Sequence, residues 1–378
     1  MKIPFNLPYV IENEIDKIKI AINSKKLCGN NSFNKICNEF IERNFNIKKS
    51  FLTPSGTSAL EMATVVAGIS TDDEIIMPSY TFSSTANAFC LRGARPIFAE
   101  IEEETFVLDW RKIEHLITQK TKAIVIVNYG GVSPDIYKIL DIAKTYNLMV
   151  IEDAAQGIDS KYRGHYIGSI CPISVFSFHE TKNISCGEGG ALLLNDENLF
   201  EIAEFAQEKG TDRSLVIAGL KDKYSWVSLG SSYLLSEILA GFLSCQLEDK
   251  DNILRQREYI FNEFRKTCKE FVQKGKIRIQ LIPDYCESNF HGFYIVFDDQ
   301  DTRNNFLEYF RVKGVSAYIG YMPLHSSKMG RFLGNNPYSL PITLKTSETI
   351  ARLPVFNAMT REEVAYVCSI LYSFLRRL

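Results

Sequence analysis

Val175-Phe-Ser-Phe-His-Glu-Thr-Lys-Asn-Ile-Ser-Cys-Gly-Glu-Gly-Gly190 begins as a short apolar strand, crosses a polar segment with one lysine, Lys182, and ends in glycines. The apolar run Ala191 to Leu194 follows at once and reads as a second buried strand. A lysine between two buried strands is unusual. An ammonium kept from water costs several kcal/mol unless its pKa falls or the amine is used covalently. Upstream, Leu148-Met-Val-Ile-Glu-Asp153 reads as another buried strand ending in a carboxylate, followed by Ala154-Ala-Gln156. An acid at one strand end and a lysine at a nearby one form the core of a pyridoxal phosphate (PLP) site. The acid keeps the pyridine nitrogen protonated, and the lysine holds the aldehyde as a Schiff base.

Outward from this core, strand and helix patterns alternate. Strands are expected over 73–78, 95–100, 123–127 and 148–151, with helices over 83–91, 110–118 and 137–146 between them. Continuous apolar strands in such alternation predict an α/β fold with a large, mostly parallel mixed sheet flanked by helices. Ligands then collect beyond the carboxyl ends of the strands, where Asp153 falls. Phe51-Leu-Thr-Pro-Ser-Gly-Thr-Ser-Ala-Leu60 opens an apolar helix expected from about Ser58. Its free N–H groups either hold a phosphate through Gly56, Thr57 and Ser58 or form an ordinary cap. Phe82 follows the strand end at Pro78 and is either a core aromatic or a ring that stacks on a planar cofactor. In the assembled reading Asp153 pairs with the pyridinium nitrogen and Gln156 bonds the ring's phenolic oxygen. Ser177 joins the phosphate anchor, and Lys182 also carries the substrate proton.

Composition narrows the alternatives. The 378 residues favour two domains, and 46% hydrophobic with 23% charged residues is an ordinary globular balance. A net charge of −2 argues against a nucleic-acid or anionic-membrane surface. The start has no apolar signal region and no apolar run reaches spanning length, so a cytoplasmic protein is expected. Nine scattered cysteines without a CxxC pair read as reduced core thiols, Cys186 included, and five histidines show no metal-ligand spacing. No GxGxxG or Walker-type loop supports a dinucleotide or P-loop reading.

Past Leu194 a polar helix is expected over 197–208, and then Lys209-Gly-Thr-Asp-Arg213, which is an anion-binding loop or a solvated one. A charged helix over 248–274 leads into short β segments at 277–282, 293–297 and 315–321. The expected division is a large cofactor-binding domain, 1–247, and a smaller α+β C-terminal domain, 248–378.

At these residues the chain resembles the DegT/DnrJ/EryC1/StrS family of PLP-dependent nucleotide-sugar aminotransferases, a branch of the fold type I aminotransferases. The resemblance rests on Lys26-Leu-Cys-Gly29, Met77-Pro-Ser-Tyr-Thr-Phe82, Glu152-Asp-Ala-Ala-Gln-Gly157, Phe176-Ser-Phe-His-Glu-Thr-Lys-Asn183, Gly187-Glu-Gly-Gly190, Glu208-Lys-Gly-Thr211, Gly230-Ser-Ser-Tyr-Leu234 and Pro323-Leu-His325. It implies a homodimer with shared active sites, L-glutamate as amino donor, and amination at C4 of a dTDP-linked 4-keto-6-deoxy sugar. Lys182, Asp153, Gln156, Phe82, Ser177, Thr57 and Ser58 match the family's cofactor positions. Leu234 stands where many members have an asparagine that reaches the partner's phosphate, so Ser231 or Ser232 is the expected substitute. His325 falls in a segment that the resemblance sets near the substrate, and Lys209 is a second substrate candidate. Amination at C3 and a gluco-configured product remain open, as does a non-catalytic sensor of PLP or a nucleotide sugar. The family's 3-dehydratases carry histidine at the lysine position, so Lys182 argues against that branch.

Overall fold

The computed structural model describes residues 1–378, and its large sheet has seven strands. Their spatial order is Lys49–Thr53, Gly190–Leu194, Ile173–Ser177, Met149–Asp153, Thr121–Val127, Glu74–Pro78 and Arg95–Ala99. From Ile173–Ser177 to Arg95–Ala99 every neighbouring pair is parallel. Gly190–Leu194 alone runs antiparallel, against both of its neighbours. This is the expected α/β class. Alternate residues on each strand feed two separate apolar clusters: Ile124, Ile126 and Val150 join one, while Ala123, Val125 and Ile151 join the other. Both faces are covered, so the strands are apolar throughout rather than alternating.

The helices between strands fall within a residue or two of expectation, at Gly56–Val66, Ser83–Cys90 and Ile136–Tyr146. The stretch 110–118 differs. It forms two 3₁₀ turns, Trp110–Lys112 and Glu114–Leu116, because Asp109 accepts from the Arg111 N–H and Thr121 Oγ1 from the Thr118 N–H. Caps at both ends leave too little chain to nucleate a cooperative α-helix.

A second sheet has the order Arg278–Ile279, Phe293–Val296, Ile350–Leu353 and Tyr318–Ile319, all antiparallel. Helices Lys250–Gln273 and Arg361–Leu375 supply much of its apolar cluster. Ile3 joins that cluster too, bridging Val315, so the N-terminal residues pack with the C-terminal sheet. The two parts are stitched by a ribbon in which Cys286–Glu287 pairs with Lys161–Tyr162, itself paired with His165–Tyr166. No helix is long and apolar enough to cross a membrane.

Candidate active site

The sheet geometry carries Lys182 into a cavity. Strands Ile173–Ser177 and Gly190–Leu194 pair in register from Ile173 with Leu194 to Ser177 with Gly190. The loop 178–189 therefore leaves and re-enters at one sheet edge, braced where Glu180 donates to Gly187 and Cys186 to Phe178. Gly190 is required there, since a Cβ would lie 2.5 Å from the Ser55 carbonyl. The cavity, about 510 Å³, lies between the carboxyl ends of the large-sheet strands and the C-terminal sheet. Lys182 lines it, and loss of water lowers its ammonium from 10.5 to about 8, with Asp153 opposing the shift and Arg352 adding to it. The amine is poised to lose its proton near neutrality.

Asp153 ends strand Met149–Asp153 and is 5% exposed. Thr85 Oγ1 donates to Oδ2 at 2.7 Å and the Ala155 N–H to Oδ1 at 3.1 Å. Burial raises its carboxyl pKa, and these two bonds with nearby Lys182 offset part of that. Gln156 is held by both ends: Oε1 accepts from the Gly130 N–H at 2.7 Å, and Nε2 donates to Tyr321 Oη at 2.9 Å. Phe82 is 57% exposed at the cavity wall, its ring 6.0 Å from that of Tyr321.

At the opposite end, helix Gly56–Val66 points its first turn at the cavity, capped by Ser55. A Cβ on Gly56 would come within 2.8 Å of Ser177 Cβ, so glycine keeps the cradle between them open. Gly56, Thr57 and Ser177 line the cavity, and Thr57 Oγ1 bonds Ser84 Oγ at 2.7 Å. Ser58 does not line it. Ser55 Oγ accepts from its N–H and shares a hydrogen bond with its hydroxyl, each at 3.0 Å, and Ser55 stands on the lining in its place. Backbone N–H groups at a helix start, a serine hydroxyl and a space too tight for a Cβ suit a phosphate. With Lys182 and Asp153 beyond it, the residues present fit PLP.

Two substrate candidates lie elsewhere. Lys209 is exposed, 3.8 Å from Glu208, and off the cavity. His325 is fully buried. Its Nδ1 bonds Ser79 Oγ at 2.6 Å, and its backbone N–H bonds the same oxygen at 3.0 Å. It is an interior tie that fixes the loop entering Phe82, not a cavity group. His325→Ala is therefore expected to lose ~1–3 kcal/mol of stability in urea unfolding, with substrate KM values unchanged. A raised KM at full stability would restore the substrate role.

Several lining residues escaped sequence reading: Phe5, Asn6, His291, Tyr321 and Arg352. Arg352 left one trace, a charge inside the apolar strand Ile350–Leu353. Its Nε donates to the Ile319 carbonyl at 2.9 Å, and the guanidinium lies over the rings of Phe5 (5.0 Å) and Tyr321 (5.7 Å). No carboxylate pairs with it.

Fold and cavity define a class: an α/β protein that gathers a low-pKa lysine, a buried acid and a helix start around one ligand space. The chain belongs to the DegT/DnrJ/EryC1/StrS aminotransferase family, which residues 9–372 match. It is 29% identical to GDP-perosamine synthase of Escherichia coli O157:H7 over 98% of each chain. It is 30% identical to the pleiotropic regulatory protein of Geobacillus stearothermophilus, over 85% of this chain and 84% of that one. Helicobacter pylori PseC, an aminotransferase of pseudoaminic acid biosynthesis, shares the fold over the whole of both chains, with a TM-score of 0.90 at 23% identity. The PLP-form of Streptococcus pneumoniae Spr1654 does so with a TM-score of 0.91 at 22% identity, over 100% of this chain and 99% of that one.

Proposed function

We propose that this protein is a PLP-dependent aminotransferase that moves an amino group from L-glutamate to C4 of dTDP-4-keto-6-deoxyglucose, giving dTDP-4-amino-4,6-dideoxygalactose and 2-oxoglutarate. The observation that carries this reading is Lys182, its ammonium lowered to about 8, sharing one cavity with buried Asp153. Bound PLP supplies an electron sink for the pair left when a proton leaves the carbon that bears nitrogen. Asp153 holds the proton on the ring nitrogen, Gln156 offers an amide N–H, and Phe82 covers the ring. Gly56, Thr57 and Ser177 hold the phosphate. Lys182 Nζ would take the proton from the donor's Cα in the first half-reaction and deliver a proton to the sugar carbon in the second.

Arg352 receives the donor's carboxylate, because both Nη nitrogens are without a protein partner and a planar fork suits a carboxylate. Arg352→Gln is expected to lower kcat/KM for L-glutamate about 10- to 100-fold. The fall for the sugar should be much smaller, as steady-state rates at varied donor and acceptor will report.

The exposed segment with Ile217, Leu220 and Trp226, each more than 70% exposed, supports a homodimer, with Lys209, Ser231 and Ser232 on the same outward loop. In that reading residues 1–247 and 248–378 act as the two domains of each cytoplasmic subunit. A non-catalytic sensor is favoured only by the regulatory name of one relative. NMR of the product from dTDP-4-keto-6-deoxyglucose, L-glutamate and PLP decides the matter. An amine at C4 with a small H3–H4 coupling is expected. A large coupling means the gluco epimer, an amine at C3 another branch, and no product with any keto sugar overturns the reading.

A further inference from the structure

We propose that His291 is a hydrogen-bond acceptor locked in one tautomer, and that its Nε2 reads a ring hydroxyl of the acceptor sugar. This rests on the sugar aminotransferase reading above. The lock starts at Asn289, whose Nδ2 donates to the carbonyls of Gln156 (2.8 Å) and Ile158 (2.7 Å), while its backbone N–H bonds Ser160 Oγ at 3.1 Å. The Asn289 carbonyl accepts from Asn183 Nδ2 at 2.9 Å. That bond orients the Asn183 amide, so its oxygen must face His291, and Oδ1 lies 2.9 Å from His291 Nδ1. A carboxamide oxygen only accepts, so His291 Nδ1 carries the proton and Nε2 keeps a bare lone pair.

A second proton on the ring is disfavoured. Burial first, then the positive charges of Lys182, Arg257 and Arg352, hold the His291 pKa well below its ordinary value. His291 lines the same cavity as Lys182, and no protein group bonds its Nε2. Of the other strong acceptors on the lining, Asp153 is committed to the cofactor in the reading above, Gln156 Oε1 accepts from Gly130, and Glu188 is an exposed carboxylate beside His179. Lys182 and Arg352 offer donors. Serine and threonine hydroxyls turn to suit either role, whereas this nitrogen can only accept. Glutamate's carboxylates are acceptors too and gain nothing from it, but a sugar hydroxyl leaving water needs such a group. Because Asn183 follows Lys182 in the chain, one rigid turn sets both the reactive amine and the acceptor beside it.

The test takes the holoenzyme, His291→Phe and Asn183→Leu. In ¹⁵N-histidine spectra, the His291 signal, assigned by its loss in His291→Phe, is expected as neutral Nδ1–H, and Asn183→Leu should release the Nε2–H form. His291→Phe should lower kcat/KM for dTDP-4-keto-6-deoxyglucose about 10- to 100-fold. Single-turnover reduction of the cofactor's visible absorbance by L-glutamate should fall far less. Either the 2-deoxy or the 3-deoxy sugar should be turned over equally by wild type and variant. An Nε2–H tautomer or an imidazolium in the wild type overturns the proposal, as do equal losses in both half-reactions or undiminished discrimination with both deoxy sugars. If His291→Phe fails to fold, the wild-type tautomer and the Asn183→Leu kinetics decide. Wild-type inactivity on every keto sugar is the separate failure of the function reading.

Discussion

Lys182→Ala is expected to lose turnover by about 10⁴-fold or more, because in the proposed reading one amine supplies both the covalent anchor and the proton carrier. Release of 2-oxoglutarate from L-glutamate and the keto sugar measures the loss, and wild-type turnover would refute the assignment. The same substitution should stabilise the cofactor-free protein. Burial lowers the folded-state value to about 8 from 10.5, so the unfolded chain holds this proton more tightly than the folded one. Below about pH 8 the amine is charged in both states, and the folded protein bears the full cost, about 3 kcal/mol. Between pH 8 and 10.5 that cost fades, and above it the amine is neutral in both states. The variant's advantage in urea unfolding should therefore be largest at pH 7 and shrink toward pH 10. A constant difference would mean that Lys182 is not desolvated. Circular dichroism of the variant should match wild type, since no protein hydrogen bond to Nζ holds the loop; its backbone N–H bonds the His179 carbonyl.

Asp153→Asn should cost about 10²–10⁴-fold in kcat while leaving the protein folded. Asparagine keeps the shape and one acceptor: Oδ1 can still take a bond from Thr85 or from the Ala155 N–H. It removes a desolvated charge that burial already disfavours. What it cannot do is stabilise a proton on the ring nitrogen, and without that the electron sink weakens. Steady-state kinetics with both substrates, alongside a melting curve, separates the two effects. Near-normal rates would show that Asp153 does not serve the ring nitrogen, and a collapse in stability would show it is chiefly structural.

Much of the site could be read before any coordinates. Lys182, Asp153, Gln156, Ser177, Gly56, Thr57 and Phe82 all line one cavity. They could be read because each sits where an apolar run stops, and in a parallel sheet those stops fall on one edge. Ser58 could not be judged this way. It shares the helix start with Gly56 and Thr57, but Ser55 folds back onto it, a side-chain choice that spacing does not encode. His325 misled for the opposite reason. A histidine next to Pro323 and Leu324 says nothing about which strand end it will meet, and it meets Ser79 in the interior.

The sequence by itself determined the α/β class, the strands that end at the cavity and the presence of Lys182 and Asp153 on its lining, since hydrophobic period and strand boundaries are local properties of the chain. Only the tertiary structure decided what faces that pair. Arg352 arrives 170 positions after Lys182 from a different sheet, and His291 arrives through the ribbon joining Cys286–Glu287 to Lys161–Tyr162. The orientation of the Asn183 amide, and with it the free nitrogen of His291, depends on a carbonyl 106 residues away. Such contacts are set by how two sheets dock, and docking is a sum over many packed side chains rather than a pattern in any one segment.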